Sequence, residues 1–128
     1  MGSKKTNKLE TSLAHLEEAV KAYKNADGKS ELPFLALSKA FEIAIEYAWR
    51  ELKLRVESEG LDAPSPKAAV KQAAKIGMIS SPVDWLACID ARNNSVHDYF
   101  GISEKDYADL AEKFLNLAKE ISQNKKAA

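Results

Sequence analysis

Between Phe34 and Val56 the apolar residues Phe34, Leu37, Phe41, Ile45, Trp49, Leu52 and Val56 return at steps of three and four. Only a helix brings that spacing onto one face, whereas a strand needs alternation at every second residue, and no segment of the chain alternates in that way. The stripe predicts a long amphipathic helix from Glu31 to about Glu59, stopped by Gly60. Leu9, Leu13, Leu16, Val20 and Tyr23 repeat the pattern upstream until "NADG", where Gly28 is the natural cap. Two Ser-Pro pairs, Ser65–Pro66 and Ser81–Pro82, each set a capping hydroxyl before a proline whose missing N–H does no harm in a first turn. They open a short Ala-rich helix reaching Gly77 and a fourth helix whose Trp85, Cys88, Ile89, Arg92 and Val96 share a face. After Gly101, "SEKD" reads as a capping box, and Tyr107, Leu110, Phe114, Leu117 and Ile121 form a fifth stripe. The expected fold is all-α, a five-helix antiparallel up-and-down bundle walled by helices one, two, four and five.

The 128 residues suit one domain. The expected division is a disordered leader over residues 1–8, one helical domain over 9–122 and a frayed tail over 123–128. Nineteen Lys and Arg balance nineteen Asp and Glu, so no overall field draws nucleic acid, and any phosphate-binding surface must be a local patch. A single cysteine, Cys88, and two histidines are too few for a disulfide framework or a structural zinc site. No cofactor is implied. No apolar run approaches a membrane span, so the expected setting is the reducing cytoplasm, without membrane contact.

The stretch "ARNNSVHDYF", residues 91 to 100, crowds polar groups at the end of the fourth helix. At about 100° per residue, Arg92 and His97 point about 140° apart on a regular helix, while Arg92 nearly aligns with Tyr99 and Asn93 with His97. A guanidinium therefore interrupts an apolar seam. It must find a carboxylate or carbonyl, reach out of the core, or line a cleft, because burying it unpaired costs on the order of several kcal/mol. For Arg92 and His97 to act on one group, the helix must distort between them or a second copy of the chain must complete the site. Arg92 offers a fork of donors for a phosphate, and His97 exchanges a proton near neutral pH, with Asp98 favouring the imidazolium. These are the parts of a metal-independent ribonuclease. The plainer alternative is that Arg92 pairs with Asp90 or another acid while His97 caps the helix.

The order of the residues adds something. Arginine followed by a polar Asn93, four residues to histidine, and one more to tyrosine resembles the signature of HEPN domains of the HEPN/MNT toxin–antitoxin type. The segments "FEIAIEYAWRELK", "ESEG", "SPKAAVKQAAKIGMI" and "DWLACIDARNNSVHDY" are similar to successive parts of the nucleotidyltransferase substrate-binding branch of that family. The resemblance is strong over residues 34 to 100. It implies a HEPN-like bundle that forms a homodimer, and an endoribonuclease cleaving RNA with Arg92 and His97, supported by Asn93. It also implies an MNT nucleotidyltransferase as antitoxin, neutralising the toxin by AMPylation of Tyr99, where added bulk and charge would block RNA. The alternative within the family is a non-catalytic substrate-binding partner subunit of that transferase. The chain is not itself the transferase, since its only Gly-Ser, Gly2-Ser3, lies in the leader rather than on a strand.

Glu42 and Glu46 stand one turn apart, flanked by Lys39 and Arg50, and read first as a salt-bridged, solvated face. In the family resembled, the Glu beside the Phe41 position recurs, which makes Glu42 a further candidate to hold Arg92 or to touch the partner. Trp49 and Trp85 lie on apolar stripes and are expected to pack in the core rather than stack on bases. His15 is expected on the surface, and Cys88 buried and inert.

Overall fold

The computed structural model describes residues 7–95 and 103–123. Among them the chain is helical, without strands: α1 Asn7–Asn25, α2 Leu32–Ser58, α3 Pro66–Lys75, α4 Pro82–Ser95 and α5 Glu104–Gln123. The five expected helices are present. Their limits differ by a residue or two, as in α1, which begins at Asn7 just ahead of the first apolar residue of its stripe. The expected leader and tail lie largely outside the described residues.

The breaks follow local chemistry. Asp27 Oδ1 accepts from the Lys29 N–H at 2.9 Å, and Ser30 Oγ from the Leu32 N–H at 3.1 Å, so side chains serve the turn into α2. At its far end Gly60 takes φ 86°, a left-handed conformation costly for other residues, and the Leu61 N–H donates back to the Val56 carbonyl at 3.0 Å. Ser65 Oγ accepts from the Ala68 N–H at 3.2 Å, and Ser103 Oγ from the Asp106 N–H at 3.1 Å. The hydroxyl caps expected at Ser65 and Ser103 are therefore made.

The core is tied by an edge-to-face run of rings. Phe34 and Phe41 of α2 alternate with Tyr107 and Phe114 of α5, at 5.5 Å for Phe34–Tyr107, 5.2 Å for Phe41–Tyr107 and 5.8 Å for Phe41–Phe114. Trp85 of α4 then meets Phe114 at 5.2 Å. The positive edge of each ring faces the negative face of the next, worth about 0.5–1.5 kcal/mol a pair beyond burial. Leu37, Leu52, Val56, Cys88 and Ile121 fill the remaining space, all buried. The run fixes the first half of α4 against α5, which sets where its second half emerges.

Helix α2 carries a second apolar stripe. Leu32, Leu35, Ile43 and Leu54 are exposed, Leu32 and Leu54 at 71% and 64%, on the side opposite the buried Phe34, Phe41 and Leu52. Tyr47 continues the stripe half-buried. With His15 and Ser12 of α1, Ile43 and Tyr47 line a shallow groove. His15 is exposed, as expected.

Candidate functional site

Along α4 burial ends abruptly. Trp85, Cys88, Ile89 and Ala91 are buried, whereas the Arg92 side chain is 34% exposed. The guanidinium is only partly exposed there, with its Nε still buried. Its Nη1 donates to Asn93 Oδ1 at 3.2 Å, and its Nη2 lies 3.9 Å from Glu46 Oε1. Of the fates open to Arg92 in the sequence, the described residues show pairing together with partial exposure.

Among the described residues, Glu46 rather than Glu42 forms the ion pair with Arg92. Glu42 is paired with Lys39 at 3.8 Å, and Asp90 with Lys67 of α3 at 2.8 Å. Glu42 and Glu46 stand one turn apart, about 6 Å along the axis, and only the height at which α4 packs on α2 selects between them. Glu46 does more than meet Arg92. Its Oε2 accepts from Arg50 Nε at 2.7 Å, with Arg50 Nη2 at 2.6 Å, and its Oε1 accepts from the Trp49 indole N–H at 3.4 Å. The Arg50 guanidinium carbon stands 5.9 Å from the Trp49 ring centre. Two guanidiniums and an indole thus converge on one carboxylate, and the three charged groups sum to plus one. Trp49 packs against the core only in part, unlike the enclosed Trp85.

The sequence puts Glu46 and Arg50 on a solvated face and carries no link from them to Arg92. The available signal was their spacing of four, which aligns both with the side of Trp49 facing away from the core. His97, Asp98 and Tyr99 lie outside the described residues. Among the described residues no three His, Cys, Asp or Glu side chains gather as metal ligands would, and no helix is long and apolar enough to cross a membrane. Cys88 is buried, and burial, with Asp84 adding to it, pushes its thiol up to about 12. It is held as a neutral thiol.

Fold and site together define a class: an all-helical bundle, offering at the end of its fourth helix an arginine cluster partly open to solvent. Residues 4–127 match the family model described as nucleotidyltransferase substrate binding protein like, and the chain belongs to that family. Among solved structures it is similar to a Thermus thermophilus protein, ttk003001694, at 24% identity and a TM-score of 0.77, covering 91% of this chain and 97% of that one. At that identity the likeness shows the fold. No curated protein matches the chain at a comparable level.

Proposed function

We propose that this chain is the helical partner of a nucleotidyltransferase and that the end of its α4 binds the phosphate of a nucleic acid. The observation that carries the reading is Arg92, partly exposed in the last described turns of α4 and followed in sequence by His97 and Tyr99. In the leading form the chain is a HEPN toxin, an endoribonuclease acting in the cytoplasm. An imidazole takes the proton of the ribose 2′-hydroxyl, whose oxygen attacks the adjacent phosphorus. Arg92 stabilises the charge that grows on the phosphorane, and a protonated imidazole delivers a proton to the departing 5′-oxygen. One His97 per chain supplies one proton carrier, so a homodimer supplies both. Asn93, bonded to Arg92, orients the guanidinium. Asp98 supports the imidazolium.

The outer stripe of α2 supports the dimer. Leu32 and Leu54 each stand eleven residues from Ile43, so two α2 helices crossing antiparallel about Ile43 set Leu32 of each copy against Leu54 of the other. Glu46 and Arg50 lie within this stretch of α2, so such a crossing brings the two arginine clusters near one another. The transferase would then silence the pair by transferring AMP from ATP to Tyr99.

The second reading is a non-catalytic subunit that presents substrate to the transferase, and the family description favours it. An RNA cleavage assay in chelator, comparing wild type with Arg92→Ala and His97→Ala, separates the two. Cleavage by wild type, lost in both variants at unchanged helicity, supports the nuclease. Absence of cleavage with stable co-purification of the transferase supports the presenting subunit. Mass spectrometry after incubation with the transferase and ATP locates the AMP, and an adduct at a residue other than Tyr99 removes that assignment.

A further inference from the structure

The geometry points to the Arg50–Arg92 pair as an anion subsite in which the Glu46 carboxylate stands where a phosphodiester oxygen would sit. This rests on the reading of Arg92 as a phosphate-binding group and extends it to two residues of α2. A carboxylate gripped by Arg50 at 2.6 and 2.7 Å and approached by Arg92 at 3.9 Å has the donor environment of a bound phosphate. The Trp49 indole N–H, 3.4 Å from Oε1, holds it there from the core side. Glu46 is 34% exposed, as is Arg92, whose Nε is buried, and Arg50 is 63% exposed, so the cluster is open to solvent chiefly on its Arg50 side.

A ligand phosphate and the Glu46 carboxylate compete for the same guanidiniums. With Glu46 in place the three groups offer one net positive charge; with Glu46 turned outward they offer a two-arginine clamp. Glu46 is thus a positioning residue that keeps both arginines ordered while lowering their affinity for other anions. The ligand class is single-stranded RNA, whose backbone presents one phosphate per nucleotide to so small a patch. A chain with no net charge has no broad field to bind it otherwise.

The test is fluorescence anisotropy with a short labelled single-stranded RNA carrying 2′-O-methyl sugars, which cannot be cleaved through the 2′-oxygen. Removing the competing charge by Glu46→Gln is expected to tighten binding about tenfold, and Arg50→Ala to weaken it about tenfold and lower the salt dependence by about one phosphate contact. A gain of affinity is an outcome that mere loss of a structural contact does not produce. Unchanged or weaker binding by a folded Glu46→Gln overturns the proposal. If thermal unfolding shows that variant to be unfolded, Arg50→Ala decides alone, and binding equal to wild type overturns it. Wild-type protein that cleaves no RNA yet shows both affinity changes keeps the subsite and removes the nuclease. Cleavage without them does the reverse.

Discussion

Arg92 of α4 and Glu46 of α2 face one another with Nη2 and Oε1 3.9 Å apart, at the point where α4 leaves the core. The contact is long for an ion pair and partly solvated, so it contributes within about 1 kcal/mol to stability. Arg92→Ala, which also removes the bond to Asn93, is expected to keep its fold. RNA cleavage, if Arg92 stabilises the phosphorane, falls about 10²–10³-fold. Parallel melting curves and single-turnover cleavage rates check both halves.

Phe41 is fully buried, with Tyr107 at 5.2 Å and Phe114 at 5.8 Å on its two sides. Phe41→Ala empties the centre of the ring run, and destabilisation of about 3–5 kcal/mol is expected in urea unfolding. Phe41→Leu keeps most of the volume and is expected to cost clearly less.

The turn between α2 and α3 offers two smaller perturbations. Ser65→Ala removes the acceptor of the Ala68 N–H and is expected to cost about 1 kcal/mol. Gly60 has open space for a methyl group but a φ of 86°, so Gly60→Ala is expected to cost about 1–2 kcal/mol through backbone strain alone. A crystal structure of that variant showing unchanged packing would confirm the cause.

Cys88 links stability to alkaline pH. Its thiol is raised in the fold to about 12 from 9.0, so the native state keeps a proton that the unfolded chain loses. The contribution is full below about pH 9 and is lost as pH rises toward 12. Urea midpoints across that window should fall more steeply for wild type than for Cys88→Ala. At neutral pH a thiol reagent should label Cys88 only after denaturant is added.

The proposed dimer is tested at the outer stripe of α2. Ile43 and Leu54 are exposed in the single chain, so Ile43→Asp with Leu54→Glu should leave the monomer fold intact while repelling across a twofold crossing. Light scattering is expected to show dimer for wild type and monomer for the variant. Two dimers would place the association elsewhere, and a monomeric wild type would remove the dimer.

Local chemistry written in the sequence determined most of the fold. Apolar steps of three and four set five helices, and the hydroxyls of Ser65 and Ser103 and the left-handed Gly60 set breaks between them, because each acts within a few residues of itself. The identity of the acid facing Arg92 was decided only by tertiary packing. Glu42 and Glu46 stand one turn apart on one helix, and the packing of α4 on α2 brings Glu46 to Arg92. The periodicity likewise placed Trp49 in the same stripe as Leu52, yet Trp49 is half-buried with its N–H on Glu46. Which side chains meet across helices is a property of packing, since contacts far apart in sequence cost nothing to rearrange until the core fixes them.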